Sequence, residues 1–122
     1  MRITCIIPTL NERFELPAVL RILQGAPVPA GVTVEFVVSD GGSEDGTEEL
    51  AASWPGVRLV RGRPLRAAQM NAGAALASGE VLYFVHADTR PPRSCFLDIA
   101  AAVARGHEAG GYPFSLDRKS VV

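Results

Sequence analysis

Short apolar runs alternate along this chain with stretches whose apolar residues recur at helical spacing. Residues 2–8 (RITCIIP) are apolar, rich in β-branched side chains and closed by proline, which predicts a strand buried on both faces. Leu16, Val19, Leu20 and Leu23 then fall three and four apart, predicting a helix that ends near Gln24-Gly25 with Pro17 in its first turn. Residues 32–38 (VTVEFVV) predict a second strand, and the glycine-rich, acidic stretch 39–46 a strand-to-helix loop. Asp45 followed by Glu48 suggests a capping arrangement for a short helix through Glu49, Leu50 and Ala51. A third strand is expected at 57–60, and a helix over 65–77 stopped by the terminator Ser78-Gly79. Residues 81–85 (VLYFV) form the most hydrophobic strand candidate, with polar His86, Asp88 and Thr89 directly after it. A helix over about 94–104, closed by Gly106, and a last strand at 110–116 complete the pattern.

This alternation indicates an α/β fold with a mostly parallel sheet and helices on both faces, joined by right-handed crossovers. Ligands in such sheets bind beyond the carboxyl ends of the strands. Three polar clusters, 9–12, 40–43 and 86–88, fall at those ends and are expected to converge in one cleft.

A length of 122 residues fits one domain with its own core and excludes two. With 12 Lys+Arg against 13 Asp+Glu and no basic stripe, a polynucleotide partner is excluded, although a small phosphorylated ligand needs only a few local cations. The apolar runs fall short of the roughly 20 residues that cross a bilayer, so no transmembrane segment is expected. The start resembles a strand rather than a signal peptide, and the expected location is cytoplasmic. Cys5 and Cys95 have no neighbour that would complete a metal-ligand pair and read as free packing thiols.

Asp40, after an apolar strand and before two glycines, suits either of two roles. Its carboxylate accepts a hydrogen bond from a base or ribose in the cleft, or it holds its own turn. The spacing from Asp40 fails for a calcium loop, and Gly41, Gly42 and Gly46 fail the dinucleotide fingerprint. There is no Walker A sequence. His86 and Asp88 lie two apart, so on an extended strand they face the same way and can share one divalent cation, Mn²⁺ or Mg²⁺, completed by phosphate oxygens and water. Arg63 and Arg66 flank a predicted helix start, where guanidinium groups and free amides suit a diphosphate. Arg58, Arg61 and His107 read as surface residues, and Trp54 as loop packing.

The segments 6–12 (IIPTLNE), 38–47 (VSDGGSEDGT), 71–73 (NAG), 79–80 (GE) and 85–89 (VHADT) stand in an order that resembles family 2 glycosyltransferases of the GT-A fold. The resemblance implies transfer of a sugar from a nucleoside diphosphate sugar of UDP or GDP type, with inversion and a divalent metal on the diphosphate. It implies that Pro8, Thr9 and Glu12 line the nucleoside pocket, that Asp40 reads the base, that Asn71 belongs to the donor site, and that Asp88 is the metal-binding residue of a D-x-D motif. Gly41 stands where many members carry a second Asp, Met70 where many have Arg, and His86 in place of the first Asp. These departures resemble a divergent branch associated with radical SAM or selenium genes.

In that family the acceptor-activating base comes from a C-terminal half. Residues 1–122 therefore look like the N-terminal donor-binding domain, truncated before the acceptor side, and Asp98 and Asp117 are the carboxylates left to consider. The catalytic base is unassigned. A noncatalytic nucleotide-sugar binding module is the rival reading, a redox or signalling nucleotide domain lacks its glycine fingerprint, and a homo-oligomer stays open.

Overall fold

The computed structural model describes residues 1–106; the strand expected at 110–116, His107 and Asp117 lie outside the described residues. Four strands, β1 (Arg2–Thr9), β2 (Thr33–Asp40), β3 (Val57–Arg61) and β4 (Val81–Phe84), alternate with four helices, α1 (Leu16–Gly25), α2 (Thr47–Ser53), α3 (Arg66–Leu76) and α4 (Cys95–Ala104). Every strand pairing is parallel and the order is β3-β2-β1-β4. The chain builds outward from β1 through β2 to β3, then returns by α3 to place β4 on the other side of β1. The sheet order therefore reverses between β1 and β4.

Central position explains why β1 is apolar on both faces. Ile3, Cys5 and Ile7 pack with Leu16, Val19, Leu20 and Leu23 of α1, Ala51 of α2 and Phe96 and Ile99 of α4. Ile6, with Val37 and Leu82, meets Ala74 and Leu76 of α3 on the opposite face. The expected helices on both faces are thus present, three against one. Phe96 meets the rings of Tyr83 and Phe36 edge-on, at centroid distances of 6.1 and 6.4 Å. Cys5 and Cys95 are free and buried, as expected of packing thiols. Burial raises both thiol pKa values, Cys95 to about 11, which leaves them inert.

Several boundaries shift for local reasons. β1 and β2 continue through Thr9 and Asp40 because the two strands stay in register to those residues. Helix α2 lacks the expected Asp45–Glu48 capping box. Asp45 accepts the amide of Thr47 at 3.0 Å, but Glu48 turns away to pair with Arg61. Helix α3 ends in the extended residue Ala77, and Gly79 is not its terminator. A Cβ there would lie 2.5 Å from Thr4 Oγ1 and 2.7 Å from Thr4 N, so Gly79 is needed for close approach to β1. Arg58 and Arg61 are surface residues with partners, Glu35 and Glu48. Trp54 packs as a loop residue, donating to Gln24 Oε1 at 2.8 Å beneath the Arg21 guanidinium.

At the end of the sheet where the strands begin, Glu35 of β2 collects several partners. It accepts the hydroxyl of Thr4 on β1, the amide of Ser78 at 2.7 Å and the hydroxyl of Ser78 at 2.9 Å, and lies 3.8 Å from Arg58 on β3. Burial works against its charge, but the Thr4 and Ser78 donors and Arg2 outweigh it and hold the carboxyl below its usual pKa.

Candidate functional site

Where the strand order of a parallel sheet reverses, a crevice opens beyond the carboxyl ends of the strands. Here that point lies between β1 and β4, and a cleft of about 390 Å³ occupies it, within the range of roughly 300 to 1,000 Å³ typical of small-molecule pockets. Its walls are Pro8 and Thr9 at the end of β1, Leu10 and Glu12 after it, Pro64, Arg66 and Gln69 around the start of α3, and His86, Ala87 and Asp88 after β4. The structure thus brings together six residues singled out from the sequence: Pro8, Thr9, Glu12, Arg66, His86 and Asp88.

Asp40 takes a different place. It ends β2, one strand away from the crevice, and is fully buried. Its Oδ1 accepts the hydroxyls of Thr9 at 2.7 Å and Ser43 at 2.6 Å, while Oδ2 accepts the amides of Gly42 at 3.0 Å and Ser43 at 2.8 Å. A carboxylate offers about four such positions, and all are filled by its own surroundings. Burial alone raises the Asp40 pKa, but these donors outweigh it and hold the value below the usual range. Of the two roles left open by the sequence, the one drawn in the structure is holding the turn.

Arg63 and Asn71 are exposed and absent from the cleft wall. Asn71 stands two residues, roughly 200°, around α3 from Gln69, so the two cannot face the same way. Gln69 holds the inward position instead. Its Nε2 donates to the carbonyls of Thr9 at 2.7 Å and Ser39 at 3.0 Å, and its own carbonyl accepts the Ser39 hydroxyl at 2.7 Å. The signal in the sequence was its i, i+3 spacing from Arg66.

The expectation that an extended strand aligns His86 with Asp88 also needs correction. Strand β4 ends at Phe84, and the amide of Thr89 donates to the carbonyl of His86 at 2.9 Å, closing a turn. Both side chains still reach the cleft, delivered by the turn rather than by strand alternation. Arg90 fastens that turn, donating to the carbonyls of Ala87 at 3.2 Å and Thr89 at 3.0 Å and pairing with Glu15 before α1. Across the cleft, Arg66 Nη1 touches the His86 ring. The loops after β1 and β2 are laced together as well. Asn11, at φ 55°, accepts the amide of Glu44 at 2.8 Å through its side chain, and Glu12 N donates to Thr47 Oγ1 at 2.9 Å. Asn tolerates this left-handed conformation better than most residues.

Charge in the cleft is divided. Burial, and next the Asp88 carboxylate, raise the pKa of Glu12, with Arg66 opposing them. Two carboxylates therefore share one wall region near a guanidinium. Among the described residues no group of three His, Cys, Asp or Glu side chains is arranged to hold a metal ion. Asp98, half-buried on α4, accepts the Ser94 hydroxyl at 2.9 Å and does not line the cleft. Nor is any described helix long and apolar enough to cross a membrane.

A parallel α/β sheet with a polar crevice at its switch point defines an open α/β domain of the kind that binds ligands beyond the carboxyl ends of its strands. Residues 4–117 match the glycosyl transferase family 2 model, and the chain belongs to that family. The undecaprenyl-phosphate 4-deoxy-4-formamido-L-arabinose transferase of Aeromonas hydrophila is 31% identical over 117 residues, covering 89% of this chain and 36% of that protein. The crystal structure of S. aureus TarS 1-349 has the same fold, with a TM-score of 0.77 at 22% identity over 91% of this chain and 36% of that one. Its complex with UDP-GlcNAc gives a TM-score of 0.74 at 22% identity, over 91% and 35%. The chain thus spans about a third of the length of these proteins.

Proposed function

We propose that this chain is the donor-binding domain of an inverting glycosyltransferase that takes a sugar from a nucleoside diphosphate sugar, of UDP or GDP type, to an acceptor hydroxyl. The observation that carries it is the pairing, in one switch-point crevice, of the Arg66 end of α3 with the acidic wall of Glu12 and Asp88. The first amides of a helix have no intrahelical acceptor and carry the positive end of its dipole. Together with the Arg66 guanidinium they suit a diphosphate and would stabilise the charge that builds on it as the sugar departs. Pro8, Thr9 and Glu12 would form the nucleoside side of the pocket. Arg63, Asn71 and Asp40 act from outside the cleft wall, Asp40 by fixing the turn beside Thr9.

The donor set fits a hard cation in part. Mg²⁺ and Mn²⁺ are commonly held by one or two carboxylates with phosphate oxygens and water, and Asp88, with Glu12 beside it, supplies that chemistry. Such an ion would share the diphosphate charge. His86, under the Arg66 guanidinium, fits less well as a ligand. In this reading residues 1–122 are the donor domain, the base that activates the acceptor comes from outside it, and Gly41, Met70 and His86 support the divergent branch.

Calorimetric titration with UDP and GDP, in Mn²⁺ and in chelator, tests the proposal. One of the two should bind, and Arg66→Ala should weaken it about tenfold or more, as loss of a charged hydrogen-bond donor predicts. Titration without heat from either nucleotide in both conditions would overturn it. Asp88→Ala should remove any gain given by metal.

A further inference from the structure

Arg66 and His86 meet across the cleft from different elements, the first turn of α3 and the turn after β4. One guanidinium nitrogen, Nη1, lies 2.9 Å from Nδ1 and 2.7 Å from Nε2 of the same imidazole. In the ring plane the carbon between the two nitrogens blocks that approach, so a single atom reaches both only from above the ring. Nη1 therefore lies over the face of the ring rather than in line with either nitrogen. It places a fixed positive charge beside the nitrogens that a metal ion would need.

The imidazole stands on a firm base. The His86 carbonyl accepts the Thr89 amide, and Arg90 ties Ala87 and Thr89 to each other and to Glu15 before α1. Arg66 and His86 are both exposed, and Arg66 has the longer, more flexible side chain. Contact with a ring carried on that fastened turn restricts the guanidinium to the mouth of the cleft, next to the first amides of α3. That restriction lowers the ordering cost when an anion binds.

We infer that His86 is a positioning residue that orients Arg66 toward the diphosphate, rather than a ligand of a divalent cation. The inference rests on the nucleotide-binding reading above. His86 acts through its ring face, so an aromatic ring without nitrogens can replace it.

The test is UDP binding to wild type, His86→Ala, His86→Phe, Arg66→Ala and the His86→Ala/Arg66→Ala pair, each titrated in chelator and in Mn²⁺, with Tm recorded for every variant. In chelator, His86→Ala should weaken UDP about tenfold, equal to about 1.4 kcal/mol, while His86→Phe stays close to wild type. In the Arg66→Ala background the loss on removing His86 should vanish, the mark of a coupled pair. A loss confined to Mn²⁺, equal for Ala and Phe, would make His86 a metal ligand and overturn the inference. So would additive losses in chelator. Failure of wild type to bind UDP or GDP in either condition would remove the nucleotide reading itself, and this inference with it; if GDP alone binds, the same variants are titrated with GDP.

Discussion

Thr9 and Asp40 end their strands in register with each other, and the Thr9 hydroxyl donates to Asp40 Oδ1 at 2.7 Å. Together with Ser43 and the amides of Gly42 and Ser43, this contact fixes the turn after β2 beside Thr9 of the cleft wall. Asp40→Ala leaves four buried or half-buried donors without their acceptor. It should cost about 2 to 3 kcal/mol of folding stability, since each unsatisfied buried group costs roughly 1 to 3 kcal/mol and neighbouring groups relax together. Urea unfolding measures it, and a midpoint equal to wild type would show that the network contributes nothing.

Acid should weaken the fold through two carboxyls at opposite ends of the sheet. In Asp40 and Glu35 burial is outweighed by hydrogen bonds to the charged form, so both titrate below their usual range in the folded protein. The folded state then binds fewer protons than the unfolded chain. Their stabilisation is complete above the unfolded values of about 4 and is lost as pH falls through the lower folded values. Unfolding midpoints between pH 7 and pH 3 should hold down to about pH 5 and then fall, with a shallower fall in Asp40→Asn. Identical slopes in variant and wild type would count against this origin.

Gln69→Leu should be more damaging than its place on a helix suggests. The amide links carbonyls near the ends of β1 and β2 to α3, and replacing it takes one donor from each, although the Thr9 carbonyl keeps the Gly41 amide at 2.9 Å. A loss of about 1 to 3 kcal/mol is expected, together with weaker UDP binding as α3 shifts. Retained stability with lost binding would assign Gln69 to the ligand instead.

Gly41 marks a position where acquiring the commoner family residue should fail. A Cβ there would lie 2.9 Å from Pro64 Cα and 3.1 Å from Gln69 Cδ, and backbone cannot step aside cheaply. Gly41→Asp should destabilise by about 1 to 3 kcal/mol, the usual cost of overpacking. Thermal unfolding decides it, with an unchanged Tm as the contrary result.

The sheet was legible because each strand candidate is a short apolar run and each crossover carries a clear helical period, as in Leu16, Val19, Leu20 and Leu23. Which strand ends share a crevice was less so. Strand order comes from pairing, which periodicity does not record, and it places Asp40 one strand aside while bringing Glu12, Arg66 and Asp88 together. The turn after β4 was hidden for a related reason: alternation predicts facing only while backbone stays extended, and the chain curls at His86. Asn71 and Gln69 differ by two positions on α3, enough to exchange inside for outside.

Glu35 gives the fold a last property. Through Thr4, Ser78 and Arg58 it clasps β1, the approach to β4 and β3 to its own strand, at the end opposite the mouth. A hand fan is built the same way, riveted at one end and open at the other. The ribs keep their spacing from that end, so exposed side chains along the free rim, outside the contacts of Thr9, Asp40, Gly41 and Gln69, can be exchanged during adaptation or grafting without unfastening the sheet. Glu35→Ala should therefore loosen the sheet first at the end away from the cleft, opposite in place to any substitution at the rim.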